Sequence, residues 1–328
     1  MKISLRLFLL AFVAFLCVCV GCKFDADSEF YRVTRAAFFL VQDTASGEKQ
    51  IVQLKEGTLI QGWNQSIGIG NSKLSHMTGS NEQFWIANAA DRSVYEINAL
   101  DESTENIYDT DSLTPHFICL GTKYLLISDS VRNQLGFMKV KKGKMEVVNT
   151  THTPQQAYYQ SGLFFLQEND SLLSVYSELA LTPIQQVSLK RNIEDIQFDG
   201  IAVAHIYTRL DPTKPLHEAR YDRNAQVLSV SEFVAGFEKR QYSPYSFQRY
   251  NKEWTEPVTL NEQSAVVGSN FGINDVSSFQ MDFFEAEVYY LQSDSLFIYN
   301  IHEQNRSTGL YFPYQILESY YFIEGIGE

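Results

Sequence analysis

Thr114-Pro115-His116-Phe117-Ile118, then Tyr124-Leu125-Leu126-Ile127-Ser128-Asp129-Ser130, then Leu135-Gly136-Phe137-Met138-Lys139-Val140: this stretch states the pattern that the rest of the chain repeats. Proline fixes φ and opens an extended segment. Asp-Ser is turn chemistry, and the apolar run behind it pairs back antiparallel. One period later the same order returns as Thr153-Pro154-Gln155, Leu163-Phe164-Phe165-Leu166, Asn169-Asp170-Ser171 and Leu173-Ser174-Val175-Tyr176.

Outward from there, apolar strands recur at Phe38-Phe39-Leu40-Val41, Phe84-Trp85-Ile86-Ala87, Ile201-Ala202-Val203-Ala204 and Val288-Tyr289-Tyr290-Leu291. The spacing is roughly 40 residues, with one double gap, and helical periodicity is scarce. A strand-only period of that length predicts an all-β fold, a β-propeller of four-stranded antiparallel blades. First strands are expected to begin near Ser75, Pro115, Pro154, Ile193, Pro244 and Ser278. The C-terminal Phe312-Pro313-Tyr314-Gln315-Ile316 and Tyr320-Tyr321-Phe322-Ile323 repeat the pattern with no complete blade after them. They are expected to pair with the N-terminal strands at Phe38–Val41 and Ile51–Leu54, which removes free sheet edges. This counts seven blades, with six as the alternative because Asp211 to Asn270 is irregular.

Phe84-Trp85-Ile86-Ala87-Asn88 followed by Ser93-Val94-Tyr95-Glu96-Ile97-Asn98 resembles a blade of the YVTN/NHL superfamily of β-propellers. That resemblance implies a fold and leaves function open.

The N-terminus reads as an export signal. Lys2 and Arg6 precede an apolar run of 14 residues, Leu7 to Val20, short of the roughly 18 needed to span a bilayer. Val18-Cys19-Val20-Gly21-Cys22 resembles a bacterial lipobox, with small Gly21 before the cysteine and Cys19 where leucine is usual. The expected organisation is a lipoprotein signal peptide over 1–21, lipidated Cys22 opening an acidic tether over 22–29, and the propeller over 30–328. The acidic tether resembles the surface-export signal of Bacteroidetes lipoproteins. The resemblance implies a bacterial cell-envelope protein, lipid-anchored to the outer membrane. Of four cysteines only Cys119 would remain free, inside an apolar run, so it reads as a small buried hydrophobe.

With a formal charge of −13 the body repels nucleic acid and anionic membrane surfaces. The six histidines include no pair at helical metal spacing, and no nucleophile elbow or phosphate loop occurs. No catalytic residue, metal site or cofactor is therefore expected. The repeat alignment brings His76, His116, Gln155, Glu194 and Tyr245 to the channel mouth as candidate ligand-binding residues, with Phe279 in the same place. A second candidate is the basic and aromatic stretch Lys239 to Trp254, suited to stacking on sugars. Asp-Ser/Thr-apolar tripeptides at Asp43, Asp111, Asp129, Asp170 and Asp294 resemble the Bacteroidetes O-glycosylation sequon, although hairpin turns generate them too. The expected function is binding of a glycan, a small solute or an outer-membrane protein partner. The alternatives are a lyase or hydrolase using His76, His116 and Glu194, or a structural accessory of an outer-membrane complex.

Overall fold

A computed structural model describes residues 35–323, apart from 56, 72, 81–82, 100, 200–202, 211–215, 223–226, 236–237, 243–244, 251–252, 260–275, 283–286, 293 and 301–304. The signal, Cys22 and the tether lie outside the described residues, as does Pro244. The chain divides into two compact units, Ala36–Phe322 and a second made of Met1–Arg35 with Ile323–Glu328. Apart from the strand-end residues Arg35 and Ile323, the sheets are built from the first.

These strands sort into antiparallel sheets, each built from consecutive strands except the closing one. The closing sheet orders Tyr314–Ile323, Arg35–Asp43, Lys49–Lys55 and Thr58–Ile60. The C-terminal strand therefore stands first, against the N-terminal one, as the repeat pattern predicts. The second sheet runs Leu74–Ser80, Gln83–Asn88, Ser93–Asn98, Ser103–Asp109. The third runs Pro115–Leu120, Tyr124–Asp129, Gln134–Lys139, Met145–Asn149. The fourth runs Gln156–Gln160, Leu163–Gln167, Leu172–Ser177, Thr182–Ser188. The fifth begins at Asn192–Asp199 and ends at Val227–Ala235. The sixth has three strands, Glu238–Tyr242, Tyr245–Tyr250 and Glu253–Thr259. The seventh starts with Val276–Asp282 and Glu287–Gln292. This is a β-propeller fold.

The core is a series of layers between neighbouring sheets. Alternate side chains of one strand serve two layers, as the period of two requires. Phe38 and Leu40 pack with Phe84 and Ile86 of the second sheet, whereas Phe39 and Val41 pack with Leu296 and Phe312. Second strands are thus buried on both faces, which is why they read as unbroken apolar runs. Fourth strands are mostly exposed and polar, as in Ser103–Asp109 and Thr182–Ser188.

One helical turn, Trp63–Ser66, replaces the second half of the fourth strand in the closing sheet. Trp63 fills the layer, its ring 4.6 Å from that of Phe38. Asn64 supplies the lost ladder bond, its Oδ1 accepting from the Ile51 N–H at 2.9 Å.

Candidate functional site

The turns between second and third strands share one device. A side-chain oxygen at the end of the second strand accepts the backbone N–H groups two and three residues on. Asp43 takes Ala45 and Ser46 at 2.9 and 2.6 Å, and Asp129 takes Val131 and Arg132 at 2.7 and 3.1 Å. Asn88 and Asn169 do the same in the second and fourth sheets. The N–H and hydroxyl of Ser46 and the Ala45 N–H hold the Asp43 carboxyl below its ordinary range. This local hydrogen bonding accounts for Asp43-Thr44 and Asp129-Ser130, whereas beside Asp170-Ser171 the acceptor is Asn169.

These turns, and the links that lead into first strands, gather at one end of the sheets. There they border a cleft of about 540 Å³ between the closing, second and third sheets. Lys49, Lys73 and His116 line it, with Ser75, Ser130 and Glu48. Among the described residues Lys49 and Lys73 make no ion pair. The Glu48 carboxylate accepts from Asn71 Nδ2 at 3.1 Å. Burial, then the charges of His76 and Lys49, pull the His116 imidazole below its ordinary pKa.

His76 and His116 do come together. Their rings lie 6.2 and 6.1 Å from that of Phe117, His76 reaching it from the neighbouring sheet and His116 as its neighbour in the chain. They are not equivalent, however. Met77 pairs with Ile86, and Ile118 with Ile127, each partner two residues before its turn-capping Asn88 or Asp129. His76 therefore matches Phe117, and His116 matches Ser75. The same one-residue register shift stands in both sheets, between Leu74 and His76 and between Pro115 and Ile118. The mismatch therefore comes from the strand centres: Ile86 corresponds to Ile127 and not to Leu126.

His76 turns to a residue absent from the sequence-based set. Its Nε2 lies 2.9 Å from Glu318 Oε1, on the closing strand. Its Nδ1 is buried with no hydrogen-bond partner among the described residues. Gln155 is engaged within its own sheet, accepting from Gln167 at 3.3 Å and donating to Asp170 at 3.4 Å. Glu194 falls at the register shift between Ile193 and Asp195, and its side chain lies outside the described residues. Tyr245 needs correction. It opens the second strand of the sixth sheet and pairs with Tyr242 across a hairpin. That hairpin is at the opposite end of its sheet from where the first strand begins, because Tyr242 ends that strand. The side chains from Lys239 to Trp254, and that of Phe279, lie outside the described residues.

Cys119 is buried, and burial with the Glu318 charge pushes its thiol up to about 12, so it stays protonated. No group of three His, Cys, Asp or Glu stands ready for a metal among the described residues. Sequence reasoning missed Lys49, Lys73, Ser130 and Glu318. Glu318 was within reach, since the C-terminal unit already read as the closing strand.

The chain matches no family profile and no curated protein. Solved structures do resemble it. A proposed 6-phosphogluconolactonase from Bacteroides uniformis aligns over 88% of this chain and 99% of its own, at 9% identity and a TM-score of 0.59. The dihydro-heme d1 dehydrogenase NirN aligns over 86% of this chain and 74% of its own, at 10% identity and 0.52. Hydrazine synthase from Kuenenia stuttgartiensis aligns over 71% and 79%, at 9% identity and 0.51. At such identities the likeness speaks for the fold alone.

Proposed function

We propose that this chain is a lipid-anchored, extracytoplasmic β-propeller of seven blades that binds a small polar solute or glycan. The cleft lined by Lys49, Lys73, Ser75, His116 and Ser130 is the binding site, and no chemistry is performed there. One observation carries the reading. Three sheets bring these polar side chains, from positions far apart in sequence, around a cleft of about 540 Å³, within the roughly 300–1,000 Å³ of small-molecule sites. Gly21 and Cys22 behind the apolar run support the anchor.

A thermal-shift screen of sugars and small solutes tests the site. A ligand should raise the melting temperature of the wild type and leave Ser130→Tyr, which fills the cleft, unmoved. Equal stabilisation of both would place the site elsewhere. For the anchor, fatty-acid labelling should mark the wild type and spare Cys22→Ala. Equal labelling would remove Cys22 from the proposal.

A second reading, contact with a protein of the outer membrane, draws on the outer strands. Ile60, Ile107, Val147 and Ile184 are exposed on the fourth strands of four successive sheets. Exposed apolar side chains repeated along one rim suit a protein contact.

A further inference from the structure

The distribution of charge around the cleft narrows its ligand. The whole chain carries −13, so carboxylates outnumber cations by half again. Lys55 with Glu102, at 2.6 Å, is the one lysine ion pair among the described residues, so the distinctive feature is two lysines sharing one cleft with a single lining carboxylate, Glu48. At the cleft the balance reverses. Lys49 and Lys73 line it without an ion pair among the described residues. Of the carboxylates nearby, Glu48 accepts from Asn71 and Glu318 holds His76. Asp129, behind Ser130, caps its own turn through Oδ1, while its buried Oδ2 has no hydrogen-bond partner among the described residues.

We propose that the ligand of this cleft is a small hydroxylated organic anion. The Lys49 and Lys73 ammonium groups and the His116 imidazole take its carboxylate or phosphate oxygens. This rests on the cleft being the binding site. The hydroxyl-binding groups are in place beside the cations. Ser130 Oγ has no hydrogen bond among the described residues, and Ser75 Oγ, which donates to the Ala87 carbonyl at 3.2 Å, keeps its lone pairs free. The low proton affinity of His116 fits the same assignment. Burial and the charges of His76 and Lys49 make a second cation there unwelcome until an anion arrives. A neutral sugar would satisfy the hydroxyls and leave both ammonium groups uncompensated, so charge separates the two ligand classes.

The test is calorimetric titration of the purified chain at low salt with glucuronate, glucose 6-phosphate and glucose. Glucuronate or glucose 6-phosphate should bind and glucose should not. Which of the two binds tells carboxylate from phosphate. Lys49→Ala with Lys73→Ala should weaken that binding roughly tenfold or more, with the melting temperature of the free protein unchanged. Glucose binding as tightly as the anions, and lost in Ser130→Tyr, would overturn the anion and keep the cleft. Anion binding that neither the double lysine variant nor Ser130→Tyr disturbs would overturn the cleft itself. Binding of none of the three would overturn the anion assignment, with the solute screen still deciding the cleft.

Discussion

The two ends of the sheets put charge to opposite uses. At the end opposite the cleft, carboxylates close the junctions between sheets. Glu178, in the third-to-fourth turn of the fourth sheet, is buried and reaches the first hairpin of the third. Its Oε1 accepts the N–H groups of Lys123 and Tyr124 at 2.6 and 3.1 Å, and its Oε2 accepts the Tyr159 hydroxyl at 2.9 Å. Glu102 holds the equivalent turn of the second sheet and reaches Lys55, Gln53 and Trp63 in the closing one. At the cleft end the turn-capping oxygens bond within their own turns, and Glu318 and Glu48 reach across to His76 and Asn71. Lys49 and Lys73 make no ion pair there among the described residues. One end commits its charges to cohesion. The other leaves a positive gap in an acidic protein, which is where an anion gains most.

Breaking the ring itself should have the largest effect. Removing Phe312–Glu328 takes the first strand from the closing sheet and uncovers the layer of Phe39, Val41 and Leu296. The described sheets should then lose their cooperative melt, read by circular dichroism, since several large side chains at about 2 kcal/mol each rival a domain's whole stability. An unchanged melting curve would show that closure does not depend on this strand.

Glu178→Ala comes next. It leaves two part-buried N–H groups without their acceptor, while the Tyr159 hydroxyl keeps Thr122 Oγ1 at 2.7 Å. It should cost about 2 kcal/mol in denaturant unfolding. Gly121→Ala attacks the same junction from the other side. A Cβ there would meet Glu178 Oε1 at 2.6 Å and the Phe164 ring at 2.7 Å, so a loss of about 2 kcal/mol is expected. A cost below about 0.5 kcal/mol for both would mean that the junction tolerates opening.

Glu102→Gln should cost less, about 1 kcal/mol, because the pair with Lys55 is partly exposed and screened. Its pH dependence has a definite sign. Burial raises the Glu102 pKa, but the hydrogen bonds from Lys55, Trp63 and Gln53 outweigh it and hold the carboxyl below its ordinary value of 4.5. The unfolded chain therefore takes up this proton first. The contribution is complete above the ordinary value and is lost as pH falls through the lower folded one. The stability gap between wild type and Glu102→Gln should narrow over that interval, and a constant gap would contradict it.

The fold was legible because second strands face a core on both sides. Phe84-Trp85-Ile86-Ala87 and Tyr124-Leu125-Leu126-Ile127 leave no alternation to misread, and capping residues such as Asp129 mark where they stop. Fourth strands such as Ser103–Asp109 carried no apolar signal, so blades were recognised by their interiors alone. The site was less legible for two reasons. An apolar run such as that within Tyr124–Asp129 does not fix its own centre, and a slip of one residue exchanges His76 for Ser75 as the match of His116. In the sixth sheet the first strand is Glu238–Tyr242, ahead of the start expected near Pro244, and Tyr245 belongs to the second strand.

The smallest expected effect sharpens the comparison most, because one imidazole should give opposite signs in two measurements. His116 has its pKa lowered by burial, then by His76 and Lys49. Below the ordinary histidine value of 6.5 the unfolded chain binds this proton more readily than the folded one, so stability falls as pH drops through 6.5 toward the lower folded value. His116→Asn should remove that slope, worth roughly a few tenths of a kcal/mol at most, because the residue as a whole is exposed and its charge screened. The groups around the imidazole are Lys49, Lys73 and His76 on the positive side, and Glu48 with the His76-bound Glu318 on the negative. An anion in the cleft adds negative charge beside His116 and makes its proton welcome. Anion affinity should therefore rise over the same pH interval in which free-protein stability falls, with proton uptake measurable by calorimetry in buffers of different ionisation enthalpy. Affinity that falls with stability would mean that the bound group does not approach His116.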